Sequence, residues 1–168
     1  MKTILWFAGF ALFSQTTIAA TGVTYSGAID FQVKTNVRAI KFDGEIQQSQ
    51  IATADKELKN IQIKLDSQSF KTGVELRDEH LREQILGNSP LEFTAELKCI
   101  EENCFAEGII KINGIETVQK IPVQHKKDFQ SITAEFPLSL EELKITTPSY
   151  LGVKVQDQVL VKLRLERN

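Results

Sequence analysis

Side chains able to do chemistry are few in this sequence and widely spaced. Only two histidines occur, His80 and His125. His80 stands three residues before Glu83, a spacing that puts imidazole and carboxylate on one helix face, as in helical metal sites. Such a pair needs further ligands from elsewhere, and two dispersed histidines argue against a metal site. His125 lies in Gln-His-Lys-Lys-Asp, which reads as a solvated hairpin loop. Gly-x-Ser-x-Gly is absent, and so is a Gly-rich phosphate loop. A Ser–His–acid set assembled from distant segments would have to recruit His80. Arg77, Asp78, Glu79, His80 and Arg82 make one dense charged run, whose simplest uses are local ion pairs and cap contacts. His80 itself reads as a helix-start residue bonded to nearby backbone or carboxylates. These residues point to no cofactor and to binding rather than catalysis.

The two cysteines stand in Cys99-Ile-Glu-Glu-Asn-Cys104. Four residues separate them, where a CxxC redox centre needs two. Their environment follows from the first twenty residues. Lys2 precedes an apolar run from Ile4 to Phe13, then polar Ser14 to Thr17, then the small pair Ala19-Ala20. This predicts a signal peptide over 1–20, cut after Ala19 or Ala20, and a periplasmic or secreted mature domain over 21–168. The run is about half of the ~20 residues a spanning helix needs, and no later segment reads as a membrane span. Export makes a Cys99–Cys104 disulfide the default. The formal charge is −2, with acids and bases interspersed. No basic stripe exists to meet a nucleic acid.

The elements that carry these residues are mostly extended. Val23, Tyr25, Ile29, Phe31 and Val33 share one parity, and polar residues fill the other. Similar alternation runs through Ile40 to Ile46, Ile61 to Leu65, Leu91 to Cys99, Cys104 to Ile112, Gln119 to Val123, Ile132 to Leu138 and Val153 to Leu165. One buried and one wet face is the habit of antiparallel sheets. Glu101-Glu102-Asn103 reads as a turn that brings both cysteines together on the inner face, where a bond would fix hairpin register. Thr72-Gly-Val-Glu75 has the form of a capping box ahead of a helix over Glu75 to Leu86. Val74, Leu81 and Ile85 fall on one face of that helix, Gly87-Asn88 ends it, and Pro90 reopens extended chain. Ser139-Leu-Glu-Glu142 repeats the cap signal for one short turn.

About eight strands and one real helix in a single domain predict a closed antiparallel β-barrel; a two-sheet β-sandwich is the alternative. Its apolar interior is either a packed core or a cavity for one lipid tail. Periodicity alone does not separate the two; the usual burial of apolar side chains in cores puts the packed core ahead.

The stretch Leu58 to Phe93 resembles the YceI-like family of secreted, lipocalin-like barrels. Thr72-Gly73, Arg77-Asp-Glu-His-Leu-Arg82 and Pro90-Leu-Glu-Phe93 carry the likeness. Gly108 to Ile115 and Pro148 to Val155, with Asp157 and Val159 following, extend it over the mature chain. The Cys99–Cys104 pair is not a general feature of that family. The resemblance implies a barrel with a helix at one end and no catalysis. It also implies an apolar cavity that holds, in some members, a long isoprenoid chain or quinone tail. Expected lining residues are Phe31, Phe42, Ile63, Phe93, Ile110, Phe136 and Val161, with Arg77, His80 and Arg82 near one end. The expected ligand is then a long-chain amphiphilic lipid. The alternative is an exported interaction protein with a filled core. A homodimer paired through outer faces is compatible with either.

Overall fold

The computed structural model describes residues 22–168, apart from the side chains of Lys127 and Tyr150, and the expected signal segment 1–20 lies outside the described residues. In chain order the strands are β1 (Val23–Thr35), β2 (Lys41–Ile46), β3 (Ala52–Ala54), β4 (Ile61–Leu65) and β5 (Phe70–Lys71). A helix, α1 (Glu75–His80), runs on into a wider helical turn over Leu81–Ile85. Then come β6 (Leu91–Ile100), β7 (Asn103–Ile112), β8 (Ile115–His125), β9 (Ser131–Ser139), β10 (Ser149–Tyr150) and β11 (Val153–Arg167).

Eight strands close on themselves in the order β1-β11-β9-β8-β7-β6-β4-β3. Closure is made by the first and last long strands, which pair antiparallel from Tyr25↔Arg167 to Thr35↔Val155. That seam decides for a barrel and against the two-sheet sandwich. Period-two patterning does what it should: Phe93 and Ala95 of β6 are buried while Thr94 between them is exposed. On the outer wall, direct cross-strand partners carry opposite charges, as in Lys64–Glu92, Lys111–Glu116 and Lys162–Glu135. All six side chains are well exposed, so they contribute little to stability.

One lane of the barrel is divided. The beginning of β1 pairs with β3, and its later part pairs with β2. Strand β2 goes on to pair with β5 rather than with the barrel strand β4. The three-residue β3 escaped the alternation because so short a run carries almost no period. Beyond β5 the ladder is interrupted until β6, and segment 72–90 with its helix spans that interval.

The two ends of the barrel therefore differ. At the hairpin end, Cys99 and Cys104 are direct partners in the β6–β7 register and form a disulfide, with Cα atoms 4.1 Å apart. The two share the expected face, as directly paired and bonded residues must, but their burial differs: Cys104 is buried and Cys99 is exposed. Strand β6 runs past the end of β4, whose last partner on it is Ala95, so its final residues leave the barrel. At the helix end, the expected Thr72–Glu75 capping box does not form. Val74 is the N-cap residue and makes no side-chain cap bond. Asp78 reaches back instead, its Oδ1 accepting from both the backbone N–H (2.7 Å) and the hydroxyl of Thr72. The second cap signal does form a turn: Ser139 Oγ accepts from the Glu142 N–H at 3.1 Å.

Candidate functional site

The barrel encloses a cavity of about 190 Å³ that runs between its two ends, and every residue lining it is aliphatic or phenylalanine. Inward-facing positions of the strands supply the wall because alternate side chains point to one face. Of the residues expected from sequence, Phe31, Ile63, Phe93, Ile110, Phe136 and Val161 all line it. Phe42 does not; it lies at the rim, with the Arg77 guanidinium 4.4 Å above its ring centroid. Such stacking suits a planar cation whose stem also covers apolar surface.

Phe31 owes its place to a glycine. It pairs directly with Gly44 of β2, and a Cβ on Gly44 would fall 2.1 Å from the Phe31 ring. The ring thus fills the space a side chain there would take, and it lies 6.1 Å from Phe70 of β5. Alternation in the sequence shows Phe31 facing inward but gives no hint that Gly44 is its seat.

The helix end is covered by Leu81, Ile85 and Leu86 from the helical segment and by Leu140, Leu143 and Ile145 from the turn after β9. Leu143 is 0% exposed. Val74, expected on the helix's buried face, is exposed instead, because the chain is still extended at that residue. The helix also widens: Leu86 N–H bonds to Leu81 O at 3.0 Å, a five-residue step, and Asn88 N–H to Arg82 O at 2.9 Å. This wider turn swings Leu86 inward beside Leu81 and Ile85. Wider turns of this kind inside helices are often found at functional sites.

Polar candidates are spread out. His80 is exposed and makes no side-chain cap bond. Asp78 is committed to Thr72, and among the described ion pairs none joins Asp78 or Glu79 to Arg77 or Arg82. His125 sits at the opposite end, its Nδ1 3.1 Å from Lys126 O and its ring 4.1 Å from that of Phe129. The ligand atoms of His125, Cys99 and Cys104 lie within 4.8 Å of one another. Both sulfurs are bonded to each other, so this cluster offers one imidazole and no thiolate. Nearby, the Tyr25 hydroxyl donates to Phe129 O at 3.2 Å, and burial raises its pKa above 10.0 against a smaller opposing pull from Arg167. The arrangement can hold an apolar chain.

The sequence matches the YceI-like domain family over residues 15–167. No curated protein sequence matches it significantly. Among solved structures, the fold is similar to a polyisoprenoid binding domain from Saccharophagus degradans implicated in plant cell wall breakdown. That match has a TM-score of 0.64 and 12% identity, covering 88% of this chain and 97% of the other. It is also similar to BcnA of Burkholderia cenocepacia (TM-score 0.64, 16% identity, covering 82% and 94%). The YCEI protein of Campylobacter jejuni matches with a TM-score of 0.56 and 16% identity, covering 74% of this chain and 84% of that one.

Proposed function

The chain belongs to the YceI-like domain family, and on that premise we propose that it is a lipid-binding protein rather than an enzyme. It carries or sequesters one long-chain amphiphile, an isoprenoid or isoprenoid quinone, in the barrel cavity. The observation that carries this reading is a cavity wall without one polar residue, in a fold similar to that of a polyisoprenoid binding domain. An exported location, periplasmic or secreted, is part of the proposal and rests on the pattern of residues 1–20.

Burial of the chain drives binding. At about 0.8 kcal/mol per buried CH₂, each five-carbon isoprene unit is worth on the order of 4 kcal/mol before ordering costs. Phe31, Ile63, Phe93, Ile110, Phe136 and Val161 would contact the chain. Arg77, Arg82 and His80, on the helical segment, would meet its polar head. The cavity of about 190 Å³ is smaller than the roughly 300–1,000 Å³ of typical small-molecule sites. A long chain therefore has to push the cover aside, and the helical segment, which has no partner in the β-ladder, is the part that yields.

Native mass spectrometry of the mature protein from its own compartment, followed by denaturing spectra of what leaves, tests this. The expected result is a stoichiometric adduct of isoprenoid mass. A bare protein mass that stays unchanged after incubation with quinones and polyprenols would overturn it. The small cavity would then be packing space in a filled barrel whose outer surface meets another protein.

A further inference from the structure

Outside the cavity, two loops at the helix end are bound into one unit. Asn36, in the β1–β2 hairpin, donates its backbone N–H to Lys154 O at 2.9 Å and its side-chain N–H to Gly152 O at 3.1 Å. Its Oδ1 accepts from the Lys154 N–H at 2.8 Å. The buried Thr35 hydroxyl shares its one proton between Val37 O and Ile40 O, at 3.0 and 2.9 Å, which stiffens the first tip. Each tip holds an apolar side chain out in water: Val37 is 40% exposed and Leu151 is 86% exposed.

Leu151 is the more telling of the two. It occupies the first central position of the β10–β11 turn with φ +48°, followed by Gly152 at +80°. Two-residue turns with both φ positive favour Asn, Asp or Gly there, and a bulky residue is disfavoured. The fold thus accepts a backbone cost and an exposed leucine at one point. Around the tips stand four exposed cations, Lys34, Arg38, Lys41 and Lys154. The acids Glu141 and Asp157 line the groove beside Asn36 and Lys154, where Asp157 accepts from the Ser139 hydroxyl and the Glu141 N–H. None of the four cations takes part in the described ion pairs. Alongside, Arg77 over Phe42 brings the exposed Val74 and Leu76 to the same rim. The opposite end also exposes one large apolar residue, Ile100, but beside Glu101 and Glu102.

We propose that the stapled β1–β2 and β10–β11 tips form a docking surface for an anionic phospholipid bilayer. Leu151 and Val37 enter the headgroup region, and Lys34, Arg38, Lys41 and Lys154 pair with lipid phosphates. Exposed apolar tips ringed by cations are the chemistry of interfacial binding to anionic lipid. The acidic hairpin at the far end would be repelled by the same surface, so the barrel would dock helix end down. This surface is separate from the cavity wall, so membrane docking does not require that the cavity reading hold.

The test is flotation of the mature protein with vesicles of phosphatidylglycerol and phosphatidylcholine in equal parts, against pure phosphatidylcholine. Wild type should float with the first, weaken as salt rises, and bind the second at least about tenfold less. Two double variants, Val37→Ser/Leu151→Asn and Lys34→Glu/Arg38→Glu, should each lose about tenfold or more in bound fraction. Asn tolerates positive φ, so the first variant should melt no lower than wild type, and both should keep any native mass adduct. No flotation of wild type, or flotation of both variants equal to wild type, would overturn the proposal. Flotation without any isoprenoid adduct would leave docking standing and remove the carrier reading.

Discussion

The hairpin end and the helix end of this barrel are built from different interactions. At the hairpin end, continuous strands bring Tyr25 (2% exposed), Cys104 and the β6–β7 disulfide together, and the Tyr25 hydroxyl is tied to the backbone of Phe129. At the helix end, the cover consists of segment 72–90 and the turn after β9, which contribute side chains but no rungs to the ladder. Backbone pairing resists local opening, whereas a cover held by a few apolar contacts opens at lower free energy. One end is thus a floor and the other a lid over the same cavity.

The sharpest way to break this contrast is to cut one side chain at each end. Tyr25→Ala should cost about 3–5 kcal/mol in a urea melt, the usual range for a large aromatic removed from a core. Leu81→Ala, at a partly buried position, should cost about 1 kcal/mol and leave the cavity easier to enter. Equal costs would mean that the lid is as firmly built as the floor. An effect between these two is expected from Cys99→Ala with Cys104→Ala. The bond spans a sequence separation of only 5. Loop entropy for so short a ring gives about 2 kcal/mol, measured as the fall between oxidised wild type and the double variant. Binding at the far end should be untouched.

The smallest effect concerns pH. Burial raises the Tyr25 pKa above 10.0, so the folded state holds this proton more tightly than the unfolded chain does. Its contribution is therefore complete below pH 10 and is lost as pH rises through the folded value. Wild type should lose melting temperature above pH 10 more steeply than Tyr25→Phe; identical slopes would show that the floor does not sense this hydroxyl.

Much of the strand framework was legible in the alternation, because a one-sided barrel wall imposes period two on every long strand. Six of the seven expected lining positions face the cavity for that reason. Phe42 shares the inward parity but lies at the rim, and parity says nothing about height along the axis. The divided lane was hidden because β3 is three residues and β5 two. Gly44 beneath Phe31 is a cross-strand relation, invisible until register is known. The capping box failed because Asp78 competes for Thr72, a contact that the local four-residue signature does not contain.

The seam between β1 and β11 bears on how the chain reaches this state at all. Its rungs join residues 25–35 to residues 155–167, more than a hundred residues apart in sequence. A chain emerging in order from synthesis has β1 waiting without its β11 partner until residues 155–167 arrive. Ring closure of that span is slow, since its entropy must be spent before the contacts repay it. For that interval the chain presents an apolar strand edge that can pair with a neighbouring chain. Deleting the final few residues would remove Arg167 and Leu165 from the seam, and the resulting product should be recovered as aggregate or fragment rather than as a slightly shorter barrel.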